Sequence, residues 1–292
     1  MIVIAGANGQ LGRDFQALFR RLKLDFIPTH HTAINGCTAM DITDSTAVER
    51  FFEHVPNVTY MINCAAYNQV DRAEEEKDKA LALNKEAAAN LAKIAKQLNA
   101  VYVTFSTDFV FDGVKRQPYT ETDTPNPLSV YGESKLKGEQ AVLDTYEKIF
   151  VIRTSWVFGL GNHNFNKTVL GWAASRNELQ VVDDQISVPT YTKDLAEYAW
   201  ALVQSGQYGL YHLTNGGEAS KYDQAKYVLN RIGWQGEIRP AKTADFPLPA
   251  ARPPYSKLNS TKAERIIGKT MPPWQDAIDR FLQEMKEAGE LT

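Results

Sequence analysis

The sequence predicts an α/β fold, a doubly wound parallel sheet followed by a smaller, irregular C-terminal region. Three observations lead to this prediction. Short apolar runs alternate with stretches of helical periodicity over the first half of the chain, a glycine-rich turn follows the first apolar run, and prolines accumulate towards the end. Apolar runs that alternate with helices are typical of parallel strands joined by helical crossovers. The 292 residues suit one large α/β domain or a main domain with a smaller annex.

The predicted strands are short apolar or β-branched segments, and the predicted helices carry apolar residues three and four positions apart. Strands are predicted at 2–5, 25–28, 60–63, 101–106 and 149–153. Helices are predicted at 10–22, from Ser45 as the cap through 52, and at 71–97, 129–145 and 274–289. Beyond residue 153 the alternation loosens, and clustered prolines indicate loops and helix starts.

Composition and charge exclude several classes of protein. Apolar residues make up 43% and charged residues 23% of the chain, and the net charge is −3, without the basic excess of a nucleic-acid-binding protein. No apolar run reaches the roughly 20 residues of a membrane helix, and the N-terminus is typical of a first strand rather than a signal peptide. Cys37 and Cys64 are too few for a disulfide framework. We therefore expect a cytoplasmic protein without a membrane or nucleic-acid partner.

Three glycines, Gly6, Gly9 and Gly12, lie between the first predicted strand and the first predicted helix. In dinucleotide-binding (Rossmann) folds such glycines permit a tight turn, let the backbone approach a pyrophosphate and let the helix pack on the sheet. The free N–H groups of the helix N-terminus favour the phosphate. The spacing differs from that of ordinary dinucleotide-binding domains, and a plain structural turn is the alternative. The position after an N-terminal strand favours cofactor binding.

The region after the second predicted strand bears on the choice of cofactor. NAD-binding domains usually place an acidic residue there for the ribose 2′-hydroxyl. Residues 26–31 contain no acid, and His30 or His31 is a candidate contact for the 2′-phosphate of NADP. Asp41 and Ile42 follow later and are candidates for the border of the adenine. The sequence therefore favours NADPH, with NADH also usable.

Tyr131 and Lys135 are one helical turn apart, so both side chains lie on one face of the predicted helix. A phenol has a pKa of about 10, and a neighbouring ammonium would lower that pKa and ease proton transfer. Thr107, at the end of a predicted strand, is placed to donate a hydrogen bond to a substrate carbonyl. The alternative is that Tyr131 and Lys135 are surface residues. Tyr222 and Lys226 repeat the spacing without a preceding polar cluster and are predicted to lie on an exposed helix face.

Several segments together resemble the dTDP-4-dehydrorhamnose reductase family, which belongs to the extended short-chain dehydrogenases/reductases. The segments are GANGQLG at 6–12, INCAAY at 62–67 with VD at 70–71, STDFVFD at 106–112, YGESK at 131–135, RTSWVF at 153–158, DQ at 184–185, PT at 189–190 and RP at 252–253. The resemblance covers nearly the whole chain. It implies reduction of the C4 ketone of dTDP-4-dehydro-L-rhamnose to dTDP-L-rhamnose, a precursor of cell-surface polysaccharide, with hydride from NADPH and a proton from Tyr131.

The resemblance also implies roles for individual residues. The catalytic residues would be Thr107, Tyr131 and Lys135. The cofactor-binding residues would be Gly6, Asn8, Gly9, Gln10, Leu11, Gly12, Asp41, Ile42, Cys64, Ala65, Ala66, Tyr67, Asn84, Ser106, Tyr131 and Lys135. The substrate-binding residues would be Thr107, Asp108, Val110, Trp156, Gln185 and Arg252. Arg252 would meet the diphosphate, with a surface salt bridge as the alternative. Trp156 would pack on the nicotinamide or the sugar, with a buried core tryptophan as the alternative.

Domain organisation and partners are inferred from the same resemblance. Residues 1–153 would form the dinucleotide-binding Rossmann domain, completed by parts of 186–214, and residues 154–292 would mainly bind the sugar nucleotide. Some family members dimerise around a magnesium ion held by glutamates. Here the corresponding stretches contain Asp14 and Lys193, so no functional metal is predicted. Both a monomer and a homodimer stay open.

The reductase could also act on another nucleotide-linked deoxysugar. Two other functions stay open beside it. A sugar-nucleotide epimerase or dehydratase would retain and recycle NAD, and the lack of an acid after the second predicted strand speaks mildly against it. A non-catalytic, cofactor-binding regulatory subunit would not need Thr107, Tyr131 and Lys135, and all three are present.

Overall fold

The computed structural model describes residues 1–161 and 163–291. Its strands are β1 (Ile2–Ala5), β2 (Phe26–His30), β3 (Thr38–Ala39), β4 (Tyr60–Asn63), β5 (Val101–Thr107), β6 (Ile149–Thr154), β7 (Val157–Phe158), β8 (Glu178–Val182), β9 (Ile186–Ser187), β10 (Thr190–Tyr191), β11 (Gly209–His212), β12 (Ala219–Ser220) and β13 (Glu237–Ala241). Seven of them form a parallel sheet in the order β11-β6-β5-β4-β1-β2-β3. The order reverses between β1 and β4, and sheets of this kind bind ligands beyond the carboxyl ends of the strands at that point.

Helices cover both faces of the sheet. They are α1 (Gln10–Leu22), α2 (Ser45–Glu53), α3 (Val70–Ala73), α4 (Lys77–Leu81), α5 (Ala88–Gln97), α6 (Val130–Leu143), α7 (Phe165–Ala173), α8 (Thr192–Gln204), α9 (Lys221–Arg231), α10 (Thr261–Ile267) and α11 (Trp274–Glu287). A π-helical turn (Ala82–Ala87) joins α4 to α5, and short 3-10 helices lie at Asp108–Val110 and Thr243–Asp245. The predicted α/β class and the doubly wound parallel sheet are confirmed.

Two layers of apolar side chains hold the helices on the sheet. On one face Phe15 and Phe19 of α1 are buried, and the Phe19 ring meets the Trp200 ring of α8 edge to face, with centroids 4.8 Å apart. On the other face Phe52 of α2 and Leu91 of α5 are buried. Burial of side chains of this size contributes about 1.5–3 kcal/mol each. The helices are therefore fixed on the sheet, and so are the loops at its carboxyl edge.

The chain after residue 154 contributes to two parts of the structure. α8 packs on α1, and β11 is the edge strand beside β6. β8 and β13 form a separate parallel pair next to α9. A third group of buried residues lies here, in which the Phe158 and Tyr191 rings stack at 5.4 Å and the Phe281 ring of α11 meets Phe158 edge to face.

The single long helix predicted at 71–97 is wrong. The helix breaks at 74–76 and contains the π-helical turn further on. The Glu74 carboxylate accepts a hydrogen bond from the backbone N–H of Val130, and the Glu76 carboxylate accepts one from the Tyr67 hydroxyl. Contacts with distant segments therefore hold the break in a sequence whose residues favour a helix.

Some predicted element boundaries are also corrected. The cap of α2 is Asp44 and not Ser45, because the Asp44 carboxylate accepts the backbone N–H of Ala47 at 3.0 Å. The second strand extends to His30 through its pairing with β1 and β3. Ser129 precedes its helix as the cap instead of lying within it.

The π-helical turn approaches α6 closely through a glycine. A Cβ atom at Gly138 would lie 2.1 Å from the carbonyl oxygen of Asn84. The Asn84 amide also donates hydrogen bonds to the carbonyl oxygen of Tyr67 at 3.0 Å and to the hydroxyl of Ser134 at 2.9 Å. Because α6 carries Tyr131, this close approach sets the position of the tyrosine.

Gly138→Ala is expected to lower the free energy of unfolding by about 1–3 kcal/mol, the usual cost of forcing a methyl group into filled space. Activity should also fall, because α6 has to move away from the π-helical turn. Equilibrium urea unfolding followed by circular dichroism measures the effect. The matched control is Gly171→Ala in α7, where nothing described lies within 4 Å of the added methyl group. There alanine should stabilise by up to about 1 kcal/mol. Equal behaviour of the two variants would contradict the close approach.

Candidate active site

The loop between β1 and α1 has a backbone geometry that glycine supplies. Gly6 has a φ of +71°, and a Cβ atom there would lie 2.6 Å from the backbone nitrogen of Ala65. A Cβ atom at Gly12 would lie 2.5 Å from the carbonyl oxygen of Gly6. The loop therefore lies directly against the start of α1 and the segment after β4, the arrangement that cradles a phosphate in dinucleotide-binding folds.

Two neighbouring cavities of about 490 Å³ each form a trough at the carboxyl edge of the sheet. The glycine-loop arm is lined by Gly6, Asn8, Gly9, His30, His31, Met40, Asp41, Ile42, Thr43, Cys64, Ala65, Ala66, Tyr67, Asn68, Gln69 and Leu83. The catalytic arm is lined by Gly9, Gln10, Leu11, Cys64, Ala66, Asn68, Phe105, Ser106, Thr107, Tyr131, Lys135, Thr154, Ser155, Trp156, Val157 and His163. Because the arms share Gly9, Cys64, Ala66 and Asn68, one extended ligand can occupy both.

The trough brings together the residues expected to bind the cofactor, except Gly12 and Asn84. Gly12 packs beneath the loop, and Asn84 is buried with its amide donating to Tyr67 and Ser134. Contact of these two residues with a cofactor stays a prediction.

The lining of the trough fits a polar cofactor of the NADP kind. The hydroxyls of Ser106 and Thr154 line the catalytic arm, are buried, and have no hydrogen-bond partner within the described chain. Buried polar groups normally have such a partner, so a ligand with polar atoms suits this arm.

The far end of the glycine-loop arm bears on cofactor preference. Its described lining contains a single carboxylate, Asp41, whose Oδ1 already accepts the N–H and the hydroxyl of Thr43 at 2.9 and 2.7 Å. The His30 and His31 rings lie beside each other, with centroids 4.0 Å apart. No acid lies in β2 or between β2 and Asp41, so no carboxylate next to the histidines would repel a 2′-phosphate at that end.

Thr107, Tyr131 and Lys135 meet in the catalytic arm. The Ser129 side chain caps α6 by accepting a backbone N–H of its first turn, so Tyr131 lies in that turn and Lys135 follows one turn later on the same face. Lys135 is buried, and its ammonium donates a hydrogen bond to the carbonyl oxygen of Phe105 at 2.6 Å. The strand that carries Thr107 and the helix that carries Tyr131 are thereby joined at the reacting site.

The expected depression of the phenol pKa is wrong for this structure. Burial raises the pKa of Tyr131 to about 12, and the hydrogen bond with the Thr107 hydroxyl only partly opposes this change. Burial also lowers the pKa of Lys135 to about 8, although the Glu139 carboxylate opposes the loss of charge. The phenol is therefore fully protonated at neutral pH, as a proton donor requires.

Asp108 and Val110, expected to contact the substrate, are both buried and line neither arm of the trough. The Asp108 carboxylate accepts hydrogen bonds from the hydroxyls of Ser187 and Ser256, and from Thr107 at 3.2 Å. Val110 packs in a small apolar cluster. Asp108 therefore holds Thr107 from behind, and the contact of Asp108 and Val110 with the substrate stays a prediction.

Stability is expected to depend on pH through Asp108. Burial raises its pKa from 3.8 to about 6, so folding favours the protonated carboxyl. The resulting stabilisation is fully present below about pH 4 and is lost as the pH rises through about 6. Asp108→Asn lacks this titration. From about pH 4 to pH 7 the wild type should therefore lose about 2–3 kcal/mol of its free energy of unfolding relative to the variant. Urea unfolding at both pH values measures this, and a constant difference would contradict the raised pKa.

A larger cavity of about 600 Å³ lies beside β8 and α7, and its lining includes Gln185 and Arg252, the two residues for which substrate binding is predicted. The Gln185 amide donates to the Thr243 hydroxyl at 3.0 Å. Arg252 makes paired hydrogen bonds to the Asp71 carboxylate at 3.0 and 2.6 Å and donates to the carbonyl oxygen of Ala250 at 2.7 Å. The salt bridge that stood as the alternative is therefore present, and the charge of Arg252 is already paired.

Trp156 lines the catalytic arm and is only partly buried, so the alternative of a buried core tryptophan is wrong. Its φ is +44°, in the left-handed region that bulky residues rarely adopt. Such backbone conformations cost about 1–3 kcal/mol and occur preferentially at functional sites.

The ammonium of Lys221 lies 3.4 Å from the centroid of the Trp156 ring. Sequence reasoning missed Lys221, because it follows no recognised motif and reaches Trp156 only through the fold.

The region expected to hold magnesium in some relatives contains charged pairs here. Lys193 makes an ion pair with Glu284 at 2.5 Å, and burial raises the pKa of Asp14 to about 6. Within residues 1–161 and 163–291, no cluster of three or more His, Cys, Asp or Glu side chains suits a metal ion. The absence of a functional metal stays a prediction.

In the part of the chain that the structure describes, no helix is long and apolar enough to cross a membrane.

Comparison with known proteins identifies close relatives. The family model described as the RmlD substrate binding domain matches residues 1–287. A spore coat polysaccharide biosynthesis protein, SpsK, of Bacillus subtilis is 36% identical over 98% of both chains. A dTDP-4-dehydrorhamnose reductase of Mycolicibacterium smegmatis is 38% identical over 95% of this chain and 83% of its own. The crystal structure of dTDP-4-dehydrorhamnose reductase from Bacillus anthracis in complex with NADP is 36% identical, with a TM-score of 0.91 over 97% of this chain and 98% of that one.

Proposed function

The chain belongs to the RmlD substrate binding domain family, and from this membership we propose that it is a dTDP-4-dehydrorhamnose reductase. It reduces the C4 ketone of dTDP-4-dehydro-L-rhamnose to dTDP-L-rhamnose, with NADPH as the cofactor and NADH also usable. The observation that carries the proposal is the meeting of Thr107, Tyr131 and Lys135 in one arm of a trough whose other arm is the glycine loop.

Each catalytic side chain has a task that its position supports. NADPH, when bound, supplies the hydride. The Tyr131 phenol, whose pKa burial raises to about 12, is protonated at neutral pH and gives its proton to the oxygen of the ketone as that oxygen gains charge. The Thr107 hydroxyl donates to the Asp108 carboxylate in this structure, and when the ketone binds it turns to give the ketone oxygen a second hydrogen bond. Lys135, tied to the carbonyl of Phe105, holds its ammonium at the floor of the catalytic arm, where a ribose hydroxyl can meet it.

The larger cavity is proposed as the place of the nucleotide half of the substrate. Its lining includes the aromatic rings of Phe165, Trp172 and Phe246 and the amide of Gln185. Aromatic faces stack on a flat base, and a fixed amide recognises the polar edge of a pyrimidine. Trp156 lies between this cavity and the catalytic arm, where the sugar would pass.

The cellular location and the oligomeric state are part of the same proposal. A cytoplasmic location is supported by the two cysteines, Cys37 and Cys64, which are both free thiols. A monomer or a homodimer is proposed, without a metal ion at Asp14.

The test is NADPH oxidation, followed at the absorbance of the reduced nicotinamide, with enzymatically prepared dTDP-4-dehydro-L-rhamnose and with NADH in parallel. We expect steady oxidation and one dTDP-L-rhamnose for each nucleotide consumed. Conversion of a sugar nucleotide without net consumption of NADPH would indicate an epimerase instead. Cofactor binding without turnover of any sugar nucleotide would favour a regulatory subunit.

A further inference from the structure

Lys221 is a cation held between two aromatic rings in the lining of the larger cavity. It is the first residue of α9. Its ammonium lies 3.4 Å from the ring centroid of Trp156 and 4.5 Å from that of Phe165. Trp156 lines the catalytic arm, whereas Phe165 and Lys221 line the larger cavity. Lys221 therefore marks the junction between the two compartments.

The position of this ammonium is unfavourable for a cation that has no anion beside it. Burial lowers the pKa of Lys221 to about 7, although the field of Asp108 opposes the loss of charge. The first turn of a helix carries partial positive charge, which also disfavours a cation there. Among the ion pairs of residues 1–161 and 163–291, none includes this ammonium. Cation–π contacts compensate part of the cost, and an incoming anion would compensate more.

The other cations of the cavity are less suited to an anion. Arg252 already makes paired hydrogen bonds to the Asp71 carboxylate. Arg176 is exposed to solvent, close in the chain to the exposed Glu178, which also lines the cavity. A charge on an exposed side chain is strongly screened, whereas one in a partly buried site is screened much less. Lys221 therefore has the strongest attraction for an anion at the junction.

We propose that Lys221 binds the diphosphate of the nucleotide-activated sugar. This inference rests on the proposed function, which places the sugar ketone at Tyr131 and the nucleoside in the larger cavity. The diphosphate is the covalent link between sugar and nucleoside, so it has to cross the junction that Lys221 and Trp156 form. The ammonium moves from the two rings to the phosphate oxygens, and Trp156 stays as the face on which the sugar packs.

The test compares binding of dTDP and thymidine by isothermal titration calorimetry, because the two ligands differ only in the diphosphate. Lys221→Met is expected to weaken dTDP binding by roughly 10- to 100-fold, the usual value of a hydrogen-bonded charge pair. Thymidine binding should be unchanged, since the nucleoside does not touch the ammonium. Lys221→Arg should restore most of the dTDP affinity because it keeps the charge. In turnover, Lys221→Met should raise the KM for the sugar nucleotide more than it lowers kcat.

The matched control is Lys226→Met on the same helix. The Lys226 ammonium also lies over an aromatic ring, that of Tyr222 at 5.6 Å, but outside the cavity lining. This variant should bind dTDP as the wild type does. Equal losses for dTDP and thymidine in Lys221→Met would show that the side chain only supports the fold of the cavity, and would overturn the inference.

The two proposals fail in different ways. If the wild type turns over the sugar nucleotide and Lys221→Met binds dTDP with wild-type affinity, the inference is wrong and the proposed function stands. If the wild type reduces no sugar nucleotide but binds dTDP through Lys221, the diphosphate site stands and the proposed reaction does not.

Discussion

Replacement of Tyr131 by phenylalanine is expected to lower kcat for ketone reduction by about 10²–10⁴-fold, the usual contribution of a positioned acid–base group. The substitution removes the phenolic proton and leaves the ring. The ring packs edge to face against Phe109, with centroids 5.9 Å apart, so the first turn of α6 should keep its place. Steady-state NADPH oxidation measures kcat, and cofactor fluorescence measures whether NADPH is still bound.

Tyr222→Phe is the control for this substitution, because Tyr222 and Lys226 repeat the spacing of Tyr131 and Lys135 on a helix outside the trough. It should leave kcat unchanged. Loss of cofactor binding in Tyr131→Phe would point to a structural effect, and an unchanged kcat would remove Tyr131 from the mechanism.

The sheet and its glycine loop could be predicted because both depend on local patterns. The first strand and the first helix have the predicted bounds, since apolar spacing alone distinguishes a buried strand from an amphipathic helix. The break of the helix at 74–76 could not be predicted in this way. It depends on Glu74 accepting a hydrogen bond from Val130, a residue 56 positions away in the chain.

The site shows the same division between local and distant information. Tyr131 and Lys135 could be placed together because one helical turn separates them, and Thr107 because it ends a parallel strand. The burial of Asp108 behind Thr107 depends on Ser187 and Ser256, which arrive from distant parts of the chain. The pKa of the phenol also depends on total burial, which no local pattern reports.

Beneath the catalytic face of α6 lies a buried ion pair that the sequence did not indicate. Arg153 of β6 donates to both carboxylate oxygens of Glu139, at 2.9 and 2.6 Å, and both side chains are at most 4% exposed. The third nitrogen of the guanidinium meets Nε2 of His212 at 3.4 Å, and Nδ1 of His212 lies 3.0 Å from the carbonyl oxygen of Tyr119. Burial and Arg153 lower the pKa of His212 to about 3, so His212 is neutral and can accept from Arg153.

Glu139→Ala is expected to lower the free energy of unfolding by about 3–5 kcal/mol, because it leaves the Arg153 guanidinium buried without its partner. Activity should fall as well, since Glu139 lies one turn after Lys135 and its carboxylate favours the charged form of that lysine. Urea unfolding gives the loss of stability, and the pH profile of kcat reports the change at Lys135.

The double variant Glu139→Leu with Arg153→Met distinguishes two causes of lost stability. One is the cost of burying the Arg153 guanidinium without a partner, and the other is the loss of the attraction between Glu139 and Arg153. Taking two charges out of water costs nearly as much as their attraction returns, so apolar side chains of similar volume often replace a buried pair without loss. The double variant should therefore be more stable than Glu139→Ala, although it lacks both charges. If it were the less stable of the two, the attraction between Glu139 and Arg153 would itself be a main source of stability, and the unpaired guanidinium would not explain the effect of the single change.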